Sequence, residues 1–208
     1  MKQLLIETTV YRPSQQQLTE ALKGDGNILL RNVLLATAEE KNGNGRYYPK
    51  ELWEREVSKF NQKINEGTTE TAGELDHPES EIINLKNVSH GIRKLWWEGK
   101  EVRGDIEVFC DSGNRGTSSG RILGALLRNN YAVGFSSRGM GSLEQRGDLL
   151  EVQDDFSLLT WDSVSNPSNQ GSWSRNLNES KIADLNPYNK VNMILTDILC
   201  ANGSCPLF

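Results

Sequence analysis

The stretch YAVGFSSRGMGS, residues Tyr131–Ser142, places two adjacent serines after a short apolar run and before a glycine. The run Tyr131–Phe135 is typical of a short buried strand, so we expect a strand that delivers Ser136 and Ser137 at its end. Glycine allows turns and close approaches that other residues do not. Gly139 therefore predicts a turn whose backbone N–H groups point toward the serine pair.

The segments around this stretch mix strand and helix patterns without strict alternation, which predicts an α+β fold. Val88–Trp97 and Val102–Phe109 are strand-like runs joined by a short turn, the pattern of a β-hairpin. Further strands are predicted at Asn27–Ala38, Leu149–Val152 and Asp155–Asp162, and a short helix at Pro13–Gly24.

Two amphipathic helices are predicted in the body of the chain. One begins at Pro49, a residue well suited to the first helical position. Its apolar positions are Trp53, Val57, Phe60 and Ile64. The other begins near SSGRILGALLRNN, where Ser118 or Ser119 can cap the helix. Its apolar stripe consists of Ile122, Leu123, Leu126 and Leu127.

The composition excludes several classes of function. The net charge is −5, with 28 acidic and 23 basic residues, which argues against general nucleic-acid binding. The apolar runs are too short to cross a bilayer, and the first residues do not form a signal peptide. Cys110, Cys200 and Cys205 are an odd, sparse set that fits a reducing compartment and free thiols. We predict no membrane partner, no metal and no cofactor.

The last part of the chain has a different composition. The segment SVSNPSNQGSWSRNLNES is polar and reads as a linker. Apolar residues then recur at helical spacing at Val191, Ile194, Leu195, Ile198 and Leu199. The sequence therefore predicts a domain over residues 1–168, followed over residues 169–208 by a linker and an amphipathic tail.

The stretch AGELDHP, residues Ala72–Pro78, contains one of the two histidines. Proline restrains the residue before it to extended backbone, so the His77 ring sits on stiff chain that suits a general base. The alternative is a loop histidine with acidic neighbours. The other histidine, His90, lies in a strand-like run and is predicted to be structural or on the surface.

A serine nucleophile needs a base, a group that orients the base, and donors for the oxyanion. Asp162 ends an apolar strand run and is a candidate orienting group, with Glu74 and Asp76 as alternatives. Arg138 stands where the G-x-S-x-G elbow of α/β-hydrolases has glycine, so that fold is disfavoured. Glu74 and His77 have E-x-x-H spacing, which is weak evidence for a metal without a second ligand pair.

The motifs NGNGRYYP, GELDHP, GFSSRG and DFSLLTWDSV…NPS occur in an order that resembles the prohead core proteases of tailed phages. The resemblance covers roughly residues 4–168. It implies an antiparallel, barrel-like core flanked by a few helices, similar to herpesvirus maturational proteases. It also implies His77 as base and Ser136 as nucleophile. Asp162 lies in the region where the herpesvirus relatives have a second histidine, so we expect it to orient His77.

The resemblance also carries expectations about the rest of the site and about substrates. The backbone around Ser137, Arg138 and Gly139 is the candidate oxyanion hole. Substrates would be phage scaffold, core and major capsid proteins, cut after glutamate in Leu/Ile-x-Glu sequences. The candidates for reading that glutamate are Arg138, Arg93 and Lys94. The enzyme would act inside the assembling prohead, in the cytoplasm of the host bacterium, as a possible homo-oligomer.

The chain contains such sequences itself. Leu177-Asn178-Glu179 lies in the predicted linker, and we expect cleavage after Glu179 to release the tail; Glu7 is a second candidate. A different class of function also fits the residues: a non-enzymatic prohead scaffold or assembly protein that shares the fold. A third interpretation is a metal-dependent hydrolase that uses Glu74 and His77.

Overall fold

The computed structural model describes residues 2–11, 26–78 and 80–165. The strands are β1 (Gln3–Tyr11), β2 (Ile28–Thr37), β3 (Arg46–Tyr47), β4 (Ala72–Glu74), β5 (Val88–Glu98), β6 (Glu101–Val108), β7 (Val133–Gly141), β8 (Leu143–Arg146), β9 (Leu149–Val152) and β10 (Ser157–Val164), and the helices are α1 (Lys50–Glu66) and α2 (Ser118–Arg128). The predicted α+β class is confirmed. The helix predicted at Pro13–Gly24 and the predicted tail lie outside the described residues.

Two antiparallel sheets form the body of the protein, with strand orders β1-β7-β10 and β2-β6-β5-β4. They join at one edge, where Leu75 forms a parallel bridge with Ser163. At the other edge the Thr9 hydroxyl donates to the Leu34 carbonyl over 2.6 Å, which links β1 to β2. Because the sheets meet along both edges, the seven strands enclose a barrel-like core. A smaller sheet, β3-β9-β8, includes one parallel pair.

Helix α1 covers this core with the apolar face that its sequence predicts. Its buried residues are Leu52, Trp53, Glu56, Val57 and Phe60. The helix follows Pro49 and ends at Gly67, whose φ of 67° closes the last turn in the left-handed conformation. The rings of Trp53 and Phe60 pack against Trp161 of β10, and the Trp161 indole N–H donates to the Leu35 carbonyl. This cluster fixes β10 against the helix.

Helix α2 differs from its prediction in two respects. Its N-cap is Thr117, whose hydroxyl accepts from the Gly120 N–H over 2.9 Å, so neither predicted serine caps it. The apolar stripe is also narrower, because Ile122 is 54 % exposed whereas Leu123 and Leu127 are buried. In the described part of the chain, neither helix is long and apolar enough to span a membrane.

The strand that carries the serine pair is longer than predicted. β7 runs from Val133 to Gly141, so both serines lie in its interior and not at its end. Strand β1, which pairs with β7 along its whole length, is not predicted from the sequence at all. By contrast, the β5–β6 hairpin forms where its alternating pattern predicts it.

Candidate active site

Strand β7 is the central strand of its sheet and presents alternate residues to its two faces. Ser136 pairs with Thr8 of β1 on one side and with Asp162 of β10 on the other. The Ser137 hydroxyl contacts the Glu7 carbonyl, whereas the Ser136 hydroxyl contacts His77. The two serines are therefore not equivalent, because only Ser136 shares a face with the histidine.

His77 is placed by the turn that leaves β4. The backbone N–H of Asp76 donates to the Ser163 carbonyl over 2.7 Å, which ties this turn to β10. Asp76 adopts a φ of 66°, and its carboxylate accepts from the His77 backbone N–H over 3.0 Å. Aspartate tolerates this left-handed conformation better than most residues. The turn thus directs the imidazole toward β7.

Three side chains form a continuous line. The Ser136 Oγ lies 3.4 Å from His77 Nε2, and His77 Nδ1 lies 2.8 Å from Asp162 Oδ2. Ser136 and Asp162 are buried, and the His77 side chain is 13 % exposed. With its proton on Nδ1, the imidazole donates to the carboxylate and presents Nε2 as an acceptor to the alcohol. This arrangement can activate a serine for attack on a carbonyl.

The carboxylates of the other two candidates for the orienting group have other partners. The Glu74 carboxylate accepts from the Asn84 backbone N–H and from Arg138, and Asp76 accepts from a backbone N–H. Of the three carboxylates named from the sequence, Asp162 is the one that contacts the imidazole ring. Asp162 is itself held by the Glu74 backbone N–H, which donates to its Oδ1 over 3.0 Å.

The burial of Arg138 argues against it as one of the candidates for contacting substrate. Its side chain has no exposed surface and forms ion pairs with Glu74 and Asp162. A guanidinium with two buried carboxylates for partners is not available to read a substrate glutamate. The other two candidates are surface residues of β5: Arg93 pairs with Glu107 of β6, and the Lys94 ammonium lies over the Trp96 ring.

The turn expected at Gly139 is absent, and the oxyanion hole expected around it stays a prediction. Ser137, Arg138 and Gly139 lie within β7, where backbone N–H groups belong to the ladders with β1 and β10. The reason for glycine at position 139 is packing, because a Cβ there would lie 2.5 Å from the Phe156 ring.

His90 is a buried structural histidine. Its Nε2 lies 3.0 Å from the Trp161 carbonyl oxygen and its Nδ1 lies 2.9 Å from the Ser89 hydroxyl. Burial lowers the pKa of His90 to about 4, although the Asp162 charge and the contact with Trp161 oppose this shift. Gly73 crosses directly over the ring, and a Cβ there would lie 2.3 Å from His90 Nε2. The neutral imidazole thus packs against Gly73 of β4 and contacts the backbone of β10.

Glu7, a predicted cleavage site, is a structural residue in the folded chain. Its carboxylate accepts from Arg46, Asn44 and Tyr48 at 2.8, 2.8 and 3.0 Å. Burial and the Glu7 charge raise the pKa of Tyr48 well above its ordinary value. Cleavage after Glu7 would require β1 to leave the sheet, and it stays a prediction. Glu179 lies outside the described residues.

The residues considered for metal binding do not come together in the described part of the chain. No group of three or more His, Cys, Asp and Glu side chains there is arranged to hold an ion. Glu74 faces Arg138 and not His77. Cys110 is buried and free, and Cys200 and Cys205 lie outside the described residues.

Several residues that shape the site were not found from the sequence. Ser80 and Asn84 contact Arg138 and Glu74 through their backbone atoms, which carry no residue-type signal. Ser89 and Ser163 form a hydroxyl chain beside His90, with an Oγ–Oγ distance of 3.2 Å. Glu74 and Arg138 lie in the motifs GELDHP and SSRG, which the sequence singles out. The ion pair between them is what the sequence did not predict.

Comparisons with known proteins place the chain beside phage proteases. Residues 11–182 match the family described as prohead core protein serine protease. The chain is 33 % identical over 153 residues to the prohead core protein protease of Enterobacteria phage T4, covering 71 % of this chain and 69 % of that protein. It is also similar to the solved structure of the bacteriophage T4 capsid assembly protease, gp21. The TM-score is 0.61 at 28 % identity, over 80 % of this chain and 99 % of the other.

Proposed function

The chain belongs to the family of prohead core protein serine proteases, and from this membership we propose that it is a serine endopeptidase with Ser136 as nucleophile, His77 as general base and Asp162 as orienting carboxylate. The observation that supports this proposal most directly is the line of contacts from Ser136 through His77 to Asp162. The serine–histidine distance of 3.4 Å is at the long end for a hydrogen bond. Such contacts are often loose without substrate and tighten when substrate binds.

Acylation would proceed as follows. His77 Nε2 takes the proton of the Ser136 hydroxyl as Oγ forms a bond to the carbonyl carbon of the scissile peptide. The resulting imidazolium faces Asp162, whose negative charge stabilises it. Collapse of the tetrahedral intermediate breaks the C–N bond, and the imidazolium gives its proton to the leaving amine. The product is an acyl-enzyme on Ser136.

Deacylation repeats these steps with water. His77 takes a proton from the water as its oxygen attacks the ester carbonyl carbon. The second tetrahedral intermediate then releases Ser136 Oγ, which receives the proton back from the imidazolium. The free carboxylic acid leaves and the site returns to its starting state. Asp162 accepts from His77 Nδ1 and maintains the tautomer that the base requires.

The proposed substrates are the scaffold, core and major capsid proteins of a phage prohead, cut after glutamate in Leu/Ile-x-Glu sequences. The named T4 relatives, a prohead core protein protease and a capsid assembly protease, support this substrate class. The proposed place of action is the interior of the assembling prohead in the host bacterium. The similarity to herpesvirus maturational proteases and a homo-oligomeric state stay predictions.

Hydrolysis of a peptide with one Leu-x-Glu sequence tests the proposed chemistry. The wild type should cut it after glutamate, and Ser136→Ala and His77→Ala should each lose activity. Ser137→Ala is a matched control that removes the neighbouring hydroxyl from the opposite face of β7 and should retain activity. Full activity in Ser136→Ala would refute the proposed nucleophile.

The same assay separates the competing functions. A non-enzymatic assembly protein predicts no cleavage by the wild type under any condition. A metal-dependent hydrolase predicts that EDTA abolishes cleavage and that Ser136→Ala does not. The serine mechanism predicts the opposite pattern, with activity that survives the chelator and depends on the hydroxyl.

Release of the C-terminal tail is proposed as self-cleavage after Glu179. Intact-mass spectrometry of purified wild type should show the species that ends at Glu179, and Ser136→Ala should keep its full length. The variant Glu179→Gln should stay uncut at that bond while it still cleaves the test peptide. An intact tail in an active wild-type preparation would contradict this assignment.

A further inference from the structure

Arg138 lies two residues beyond Ser136 on the same face of β7, and its whole side chain is buried. Nη2 donates to Glu74 Oε1 over 2.9 Å and to Asp162 Oδ1 over 3.2 Å. Nε lies 2.9 Å from Asp162 Oδ2, the oxygen that also contacts His77, in an ion-pair contact without hydrogen-bond alignment. One guanidinium therefore contacts both oxygens of the carboxylate behind the proposed base.

The same guanidinium also holds the segment that carries His77. Nη1 donates to the Ser80 carbonyl over 2.7 Å, three residues beyond the histidine. Glu74, its ion-pair partner, accepts from the Asn84 backbone N–H over 3.0 Å. Arg138 thus connects two points of the β4–β5 connection to Asp162. A shift of its side chain would move the carboxylate and the histidine segment together.

The charges in this buried group make the arginine necessary. Glu74 and Asp162 are both fully buried, and two buried carboxylates without a cation would repel each other and be costly to desolvate. Arg138 compensates one of the two negative charges. The remaining charge faces His77, where an imidazolium forms during the reaction. The planar guanidinium makes several directed contacts at once, which a lysine ammonium of similar charge cannot match.

We propose that Arg138 is a positioning residue of this site: it fixes Asp162 behind His77 and holds the His77 segment in register with β7. This inference rests on the proposed serine mechanism. It predicts that Arg138 contributes to the catalytic step while substrate binding is largely unaffected. It gives Arg138 a role other than reading the substrate glutamate, for which it was one of three candidates.

The main test compares Glu74→Gln with the double variant Glu74→Gln/Arg138→Met. The double variant removes one positive and one negative charge together, so no uncompensated carboxylate pair remains. Relative to the single variant, kcat should fall about 10²-fold, the order expected for misplaced catalytic groups. KM should change by no more than about threefold. Arg115→Met, at an arginine whose side chain is 79 % exposed, is the matched control and should leave both constants unchanged.

A second measurement separates positioning from mere stabilisation. The proton on His77 Nδ1, bound to Asp162, should give a downfield ¹H NMR signal that Asp162→Asn abolishes. That signal should be lost or broadened in the folded double variant. A purely structural arginine would change the melting temperature and leave the signal and kcat of the folded fraction intact. That result would overturn the proposal.

Arg138→Lys covers the case in which the double variant does not fold. It keeps the positive charge but loses the planar guanidinium with its several directed N–H donors. The kcat should therefore fall at least about tenfold with KM nearly unchanged. A folded Arg138→Lys with wild-type kcat would overturn the proposal. Ser136→Ala is assayed in parallel: activity in that variant refutes the serine mechanism, whereas a dead Ser136→Ala beside a fully active arginine variant refutes only the role of Arg138.

Discussion

The buried histidine His90 should make the fold sensitive to mild acid. Its pKa is lowered by burial to about 4 in the folded state, against an ordinary value near 6.5 in the unfolded chain. Between these two values the unfolded chain binds a proton that the folded protein does not. Acidification therefore favours unfolding in this window, and above pH 6.5 the stability no longer depends on pH through this group.

The size of the effect follows from the displacement of the pKa. Each pH unit below 6.5 lowers the free energy of unfolding by about 1.4 kcal/mol, until the pH approaches the folded-state pKa of His90. Moving from about pH 7.5 to about pH 5 should therefore lower the free energy of unfolding by roughly 2 kcal/mol through His90 alone. Once His90 is protonated in both states, the total loss in the free energy of unfolding would be about 3 kcal/mol. Such a loss is a large part of the stability of an ordinary domain.

Urea unfolding at the two pH values measures this quantity. The control is His90→Gln, whose amide can donate to the Trp161 carbonyl but cannot take up a proton. The variant should be less stable than wild type at about pH 7.5 because it loses ring packing, and it should lose about 2 kcal/mol less on acidification. The variant His77→Gln retains His90. Its free energy of unfolding should therefore still fall by the amount that His90 contributes on acidification. Equal losses in wild type and His90→Gln would refute the reasoning.

Three further changes test other contacts. Asp162→Asn should lower kcat/KM for peptide hydrolysis by about 10⁴-fold, since an amide opposite Nδ1 favours the wrong histidine tautomer; a loss below about tenfold contradicts the orienting role. Gly73→Ala should cost about 3 kcal/mol in urea unfolding, because its Cβ would lie 2.1 Å from the Trp161 carbonyl oxygen; Gly26→Ala, with open space around it, is the control. Glu56→Ala should cost about 1–3 kcal/mol by leaving a buried backbone N–H of β10 unpaired, and an unchanged urea midpoint would contradict this.

The elements that the sequence predicts well are those stabilised by near neighbours. In the β5–β6 hairpin, alternating residues on two adjacent runs face each other across a short turn, so the pattern and the pairing lie in one stretch. Helix α1 is similar, because one apolar stripe and the terminal Gly67 define it locally. Short-range periodicity contains enough information for such elements.

Strand β1 was missed for the opposite reason. Its partner β7 lies about 130 positions away, and its inward-facing Glu7 interrupts the apolar pattern. That carboxylate is acceptable only because Arg46, Asn44 and Tyr48 surround it in the folded protein. A buried polar group of this kind reads as a surface residue until its partners are known. The NGNGRYYP motif, which contains those partners, therefore has a structural role beside β1.

At the site, too, the sequence indicated the residue types but not which of them pair. The motifs GELDHP and GFSSRG named Glu74, His77, Ser136 and Arg138, but they did not show which carboxylate contacts the imidazole or which group neutralises the arginine. Those contacts depend on how β7 lies between β1 and β10. The glycine after the serines indicated a turn because the need for packing space against Phe156 cannot be read from the local sequence.

Register explains why the serine pair is not redundant. Side chains alternate along β7, so a slip by one residue would turn Ser137 and Gly139 toward the histidine and move Ser136 and Arg138 into the core. Two features oppose such a slip. The space at Gly139 is filled by the Phe156 ring, and the pairing of β10 shifts by an irregularity between Leu158 and Thr160 that brings Asp162 opposite Ser136. The placement of Ser136, the proposed nucleophile, beside His77 is therefore a consequence of packing at the far end of the strand, where the sequence carries no catalytic signal.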